Sequence, residues 1–182
     1  ILSSKGEHGK SLAYYKRALS INYKHSGGRQ MILASNLIDI GLQYYHMNDY
    51  VRAIHNIEMA LKYEILASGK ESYAVARTYQ LLGEIRQAKV ASDSNERMSM
   101  QDYQKLFQPA MEDLNTSLQI RLKVFGQNSP IVASSYTALG QLHYEMFRKD
   151  AEKYFLKALR IYLDAFGPIH SRVANAYAKL GS

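Results

Sequence analysis

Six histidines, His8, His25, His46, His55, His143 and His170, are the side chains of this sequence best able to ligate a metal or pass a proton. A metal site on a helix would want two of them on one face, or carboxylates at ligand spacing. No His-x3-His pair occurs and no carboxylate completes a set, so no metal site is expected. The chain has no cysteine, which removes the thiol nucleophile, the disulfide and the zinc-thiolate cluster together. Gly27-Gly28 lacks the strand context and the following Gly-Lys-Ser/Thr of a phosphate loop, and no Gly-x-Ser-x-Gly elbow is present. Neither catalysis nor a cofactor is expected. What remains is recognition chemistry, carried by arginine, glutamine and tyrosine side chains whose placement depends on a repeat.

That repeat is visible in four phrases: "SGGRQMILASNLIDIG" (26–41), "SGKESYAVARTYQLLG" (68–83), "FGQNSPIVASSYTALG" (125–140) and "FGPIHSRVANAYAKLG" (166–181). Each carries two glycines 14 residues apart: Gly27 and Gly41, Gly69 and Gly83, Gly126 and Gly140, Gly167 and Gly181. A second phrase alternates with the first: "SLAYYKRALSI" (11–21), "AIHNIEMALKY" (53–63), "AMEDLNTSLQI" (110–120) and "AEKYFLKALRI" (151–161). These start 42, 57 and 41 residues apart, so the middle interval is a 42-residue repeat with a 15-residue insertion near 91–106. Self-similarity of this period is the mark of a solenoid.

Apolar residues in both phrases fall at helical spacing, as in Leu37, Ile40 and Tyr44 or Ile54, Ile57 and Leu61, which predicts two amphipathic helices, A then B, per repeat. The first glycine of each pair follows a B helix, where a residue of positive φ is wanted. Ser129-Pro130 supplies an N-cap and a first-turn proline, and Asp49 can cap the B helix that follows it. The second glycine sits inside helix A, where it costs about 1 kcal/mol relative to alanine. Close approach of helix B, through small residues such as Ala53 and Ala60, is the expected compensation. In the insertion, Met98, Met100, Tyr103 and Leu106 permit a short helix capped by Ser99, and Pro109 either opens the next helix or kinks a longer one.

A large residue four before the interior glycine (Leu37, Tyr79, Tyr136, Tyr177), Leu or Ile just before it, and small residues in helix B together resemble the tetratricopeptide repeat. HEAT and armadillo repeats share the period but not this small-residue pattern. "SLQIRLKVFGQNSPIVASSYTALGQLHY" and "ALRIYLDAFGPIHSRVANAYAKLG" are similar to the longer repeat of kinesin light chains and related proteins. The resemblance implies an all-α, right-handed superhelical solenoid of stacked antiparallel helix pairs. The expected divisions are helix B of a partial repeat at 10–28, a repeat at 29–70, a repeat with the insertion at 71–127, a repeat at 128–168, and the start of another at 169–182. The chain reads as a piece of a longer protein. The large-residue tyrosines, and Tyr15 in helix B, are expected to pack in the core.

The resemblance further implies that A helices line a concave groove that binds peptide segments of partner proteins. The register assigns Ser35, Ile38, Leu42 and Tyr45 to that groove, then Arg77, Gln80, Glu84 and Gln87, then Ser134, Thr137, Gln141 and Tyr144, then Asn175, Ala178 and Ser182. Arg77 could read an acidic group, the polar ladder from Gln80 to Asn175 could bond a peptide, and Tyr45 and Tyr144 could anchor it. Chaperone-binding relatives use several lysines and asparagines, and only Arg77 fits that role here. The Asn-Asn pair of kinesin light chains that take tryptophan-acidic peptides is replaced by Ile38-Asp39, Gln80-Leu81, Thr137-Ala138 and Ala178-Lys179. The resemblance implies cargo or assembly adaptors, with cytoskeletal or motor partners and a cytoplasmic, cytoskeletal or ciliary setting. A rigid scaffold or oligomerisation element of a cytoskeletal or ciliary complex is the second reading.

Net charge is +7, distributed as +5 over 1–30, 0 over 31–90, −2 over 91–147 and +4 over 148–182. The basic ends keep nucleic acid open as a third class of partner, although most of the fifteen tyrosines are absorbed by the repeat rather than free to stack on bases. No apolar run reaches the roughly 18 residues that span a membrane, so no membrane segment is expected.

Overall fold

The computed structural model describes residues 2–25, 29–93, 99–146 and 150–181, with side chains from residue 7 onward. Nine helices are present among these residues: α1 (Leu2–His25), α2 (Gln30–His46), α3 (Tyr50–Ser68), α4 (Tyr73–Asp93), α5 (Met100–Leu106), α6 (Gln108–Phe125), α7 (Pro130–Glu145), α8 (Ala151–Phe166) and α9 (Ser171–Leu180). The A helices are α2, α4, α7 and α9, and the B helices are α1, α3, α6 and α8. Each helix packs on its chain neighbours, except that α4 packs directly on α6 and the short α5 between them in sequence lies against α6.

Local chemistry ends each element where the sequence places a stop. The Asp49 carboxylate accepts the Arg52 amide at the start of α3, and Ser129 and Ser99 do the same for Ile131 and Asp102 in α7 and α5. Pro109 lies in the first turn of α6 and kinks nothing. Gly69, Gly126 and Gly167 close α3, α6 and α8 with φ of 78°, 74° and 75°. Their ψ values of 167°, 167° and 173° place them beyond the ordinary left-handed region, in a basin essentially restricted to glycine. Gly27, expected in the same role, lies outside the described residues.

One boundary differs from the sequence reading. Helix α1 begins at Leu2 rather than near residue 10, although "SSKGEHGK" has no apolar stripe. His8 holds this extra length, stacking on His46 with ring centroids 5.2 Å apart while its Nδ1 lies 2.8 Å from Gln43 Oε1.

The interior glycines are notches for large side chains. A methyl group on Gly41 would come within 2.7 Å of Ile57, one on Gly83 within 2.7 Å of Leu114, and one on Gly140 within 2.6 Å of Phe155. All three intruders are buried and occupy the same position in helix B, four residues after its first alanine. The close approach expected from the sequence is therefore made by a large knob entering the notch, with the alanine contributing its backbone carbonyl beside Gly41 and Gly83. Gly181 has no such neighbour, its nearest contact being 3.7 Å away. Tyr177 likewise departs from the core role, being 55% exposed, whereas Tyr15, Tyr79 and Tyr136 pack half-buried against the core.

The notch account separates two glycines of like sequence context. Gly140→Ala is expected to destabilise the fold by about 1–3 kcal/mol through overpacking against Phe155, and Gly181→Ala to stay within about 0.5 kcal/mol of the parent. Urea unfolding followed by helical circular dichroism measures both, and equal effects would contradict the assignment.

Candidate functional site

Because knobs enter from helix B, the opposite faces of the A helices are left to line a common groove. Its main section, about 700 Å³, runs across α4, α7 and α9. Gln80, Glu84 and Gln87 line it from α4, Ser134, Thr137 and Gln141 from α7, and Asn175 from α9, while Tyr45 of α2 closes one end. A second section of about 400 Å³ lies toward α2, where Arg77 meets Ser35, Ile38, Asp39 and Leu42. Gln80 and Glu84 border both sections.

Three assigned residues sit differently from the rest. Tyr144 is 47% exposed and lines neither section. Along α7 the lining steps from Gln141 to Glu145, an i, i+4 pair that advances about 40° around the helix, whereas Tyr144 at i+3 falls back about 60°. Gln87 borders the groove but is only 8% exposed, so little of its amide faces a ligand. Ala178 is exposed outside both sections, and Ser182 lies outside the described residues.

Hydrogen bonds hold the polar lining in place. Gln80 Nε2 donates to Glu84 Oε1 at 2.7 Å, Gln141 Nε2 to Glu145 Oε1 at 3.0 Å, and Lys179 Nζ to Gln141 Oε1 at 2.6 Å. Ser134 and Thr137 donate their hydroxyls to the carbonyls of Ile131 and Ala133; the Ser134 oxygen also accepts from Arg121 Nη1. Ala88, Ala91 and Ala138 give the main section a floor without long side chains. In the smaller section, burial raises the pKa of Asp39 and the charge of Arg77 opposes that rise.

One groove residue was not predicted. Arg121 belongs to helix B, yet it borders the smaller section while being only 4% exposed. Its Nη1 has two hydrogens to share among Ser135 Oγ at 2.8 Å, Ser134 Oγ at 3.0 Å, the Ile131 carbonyl at 3.4 Å and Gln80 Oε1, and the guanidinium lies 6.0 Å from the centre of the Tyr73 ring. Burial pushes its pKa down, opposed by the Tyr73, Glu84 and Tyr162 side chains. The position four residues after the second small residue of helix B could have pointed to it. Its occupants Asn22, Glu64, Arg121 and Tyr162 each face the following A helix, and Asn22 donates to Asn36 Oδ1 at 2.8 Å.

A second charged cluster marks where the repeat is lengthened. Arg86, in the place that Tyr44 fills in α2, bridges Glu58 Oε1 at 2.6 Å and Asp113 Oδ2 at 2.5 Å. Burial raises the Asp113 pKa to about 6 against the opposing pull of Arg86. A raised carboxyl contributes stability that is complete below its unfolded pKa near 3.8 and is lost as pH climbs through about 6. Carbon-detected NMR titration should place Asp113 near pH 6, and Arg86→Met should move it higher. A midpoint that stayed put or fell in the variant would contradict the cluster's electrostatics.

Among the described residues, no three His, Cys, Asp or Glu side chains converge as metal ligands, and no helix is long and apolar enough to cross a membrane.

Stacked helix pairs with a glycine notch and a groove of A helices define a tetratricopeptide-type solenoid. Residues 132–172 match the family model described as tetratricopeptide repeat. Two solved structures share the fold. BtubC (BKLC) from P. vanneervenii superposes with a TM-score of 0.77 at 21% identity, over 98% of this chain and 66% of its own length. A Podosopora anserina protein described as a kinesin light chain of nearly identical TPR-like repeats gives a TM-score of 0.74 at 12% identity, over 97% of this chain and 77% of its own. Over its described residues the chain is an all-α, right-handed solenoid with the fold of these two structures. No curated protein matches the sequence.

Proposed function

We propose that the solenoid is a non-catalytic interaction module that binds extended peptide segments of partner proteins in its A-helix groove. The observation that carries this reading is the 700 Å³ section across α4, α7 and α9, lined by fixed amides and hydroxyls over a floor of alanines. An extended peptide brings a donor and an acceptor per residue, and Gln80, Gln141 and Asn175 offer both. Since the lining is already held by hydrogen bonds, little side-chain entropy is lost on binding. Affinity in the micromolar range, about −8 kcal/mol, suits a groove with few aromatic anchors. The kinship of the repeats to those of kinesin light chains supports an adaptor for cargo or for assembly, with cytoskeletal or motor components as partners, in a cytoplasmic, cytoskeletal or ciliary setting.

A scaffold role has one observation in its favour. Helix α5 is pinned to the end of α7 by Gln104 Nε2 donating to the Met146 carbonyl at 3.0 Å, and it presents Met100 and Leu106 on the surface.

Peptide-display selection against residues 1–182, run beside an Arg77→Glu, Gln141→Ala double variant, separates the two. Groove binding predicts a shared motif that the parent retains and the variant loses. Enrichment indifferent to the variant would remove the groove reading and move the weight to α5 and the scaffold role.

A further inference from the structure

The face of the solenoid away from the groove holds a cleft of its own. It lies between the B helices α1 and α3, has a volume of about 320 Å³, and is floored by the buried Leu33 and Leu37 of α2. None of its residues lines either groove section. Met59 and Tyr63 of α3 form one wall, and Lys16 and Lys24 of α1 stand at the other, with no carboxylate in the lining. Tyr63 is the last residue of the B-helix phrase, and the same place is taken by Ile120 in α6 and Ile161 in α8, both buried. Ile120 fills the following seam by packing with Leu61 and Val75, whereas Tyr63 stays half-buried on the wall of the cleft. Lys24 is exposed and has no ion pair among the described residues, and the Lys16 ammonium lies 5.4 Å from the centre of the Tyr44 ring. Eight residues separate the two lysines, about 12 Å along α1.

We propose that this cleft docks an acidic amphipathic helix of a partner protein, about two turns of which place apolar side chains over Leu33 and Leu37 while flanking Asp or Glu residues meet Lys16 and Lys24. Two observations select that occupant. Apart from the lysines, the polar groups of the lining are the Ser20 hydroxyl and those of Tyr23 and Tyr63, because the walls are helices whose backbone groups are bonded internally. An extended segment would bury unsatisfied amides there, whereas a helix satisfies its own and offers an apolar stripe. Unpaired lysines beside an apolar floor are also the charge complement of acidic residues flanking apolar anchors, and they repel a basic helix. Met59, with its unbranched and adaptable side chain, fits the wall to the anchor that enters. The site is independent of peptide binding in the A-helix groove, since the two surfaces share no residue.

Helix-forming peptides with varied apolar residues at i, i+3, i+4 and i+7 test this, displayed as two matched libraries and selected against the full chain. Flanking positions are Asp and Glu in one library and Asn and Gln in the other. Enriched peptides are compared by fluorescence polarisation, with the methionine methyl groups of the protein followed by NMR. The parent should favour acidic peptides over their amide counterparts by about fivefold or more, and titration should shift the Met59 methyl while leaving that of Met100 in place. Lys16→Glu combined with Lys24→Glu should abolish or reverse the acid preference, and the Arg77→Glu, Gln141→Ala groove variant should bind as the parent does. Because the acid-to-amide comparison and the methyl shift are read on the parent protein, the result stands even if the lysine variant unfolds. Helices that bind equally well as acid and amide would overturn the acidic partner. Peptides lost in the groove variant, or a Met59 methyl that does not move, would remove the cleft as their site, and failure of either library to enrich would do the same. Self-association of the chain that the lysine variant abolishes would give the surface to a second copy and contradict the proposal.

Discussion

A large side chain of helix B seated in a glycine notch of helix A is the contact on which this solenoid depends. Ile57 at Gly41, Leu114 at Gly83 and Phe155 at Gly140 each occupy space that a Cβ on the glycine would need. Neither half of the contact is favourable alone. The glycine weakens its own helix, and the knob would be an exposed apolar group without the notch. Their combination fixes the angle and separation of each pair. With every pair set alike, successive A helices fall side by side, and a groove appears that no single repeat contains.

The seams between pairs follow another rule. Apolar contacts such as Leu61 with Val75 and Ala76 supply burial, while one recurring position in helix B is free to vary. Asn22, Glu64, Arg121 and Tyr162 occupy it in turn. A position that touches the next A helix and is not needed for the notch can accept polar or charged residues, provided the neighbouring helix answers them. Ser134 and Ser135 do so for Nη1 of Arg121. Variation at this position changes the groove from beneath while the stack keeps its geometry.

How much of this could be read from the sequence follows from the range of each interaction. Glycine pairs, caps and the apolar stripe act within one or two helical turns, so Ser129, Asp49, Ser99 and the paired helices were legible. Most of the groove lining was legible too, because a fixed register from the interior glycine carries Gln80, Thr137 and Gln141 to the same face. Tyr144 escaped that register because the lining of α7 precesses toward Glu145 over its last turn. Arg121 escaped because a register counted from the glycine of helix A carries no information on which helix B residues reach the groove. The long start of α1 rests on His8 reaching residues 35 or more positions away, a contact that local pattern does not encode.

The central claim is that notch and knob act as one unit, and a double-mutant cycle between Gly83→Ala and Leu114→Ala measures this most directly by urea unfolding. The account predicts that each single change destabilises the protein, and that with Leu114 truncated the added methyl at residue 83 costs little, a favourable coupling of about 1 kcal/mol or more. Additive effects, with a coupling near zero, would contradict it: the glycine would then be tolerated for a reason unrelated to the helix that packs against it.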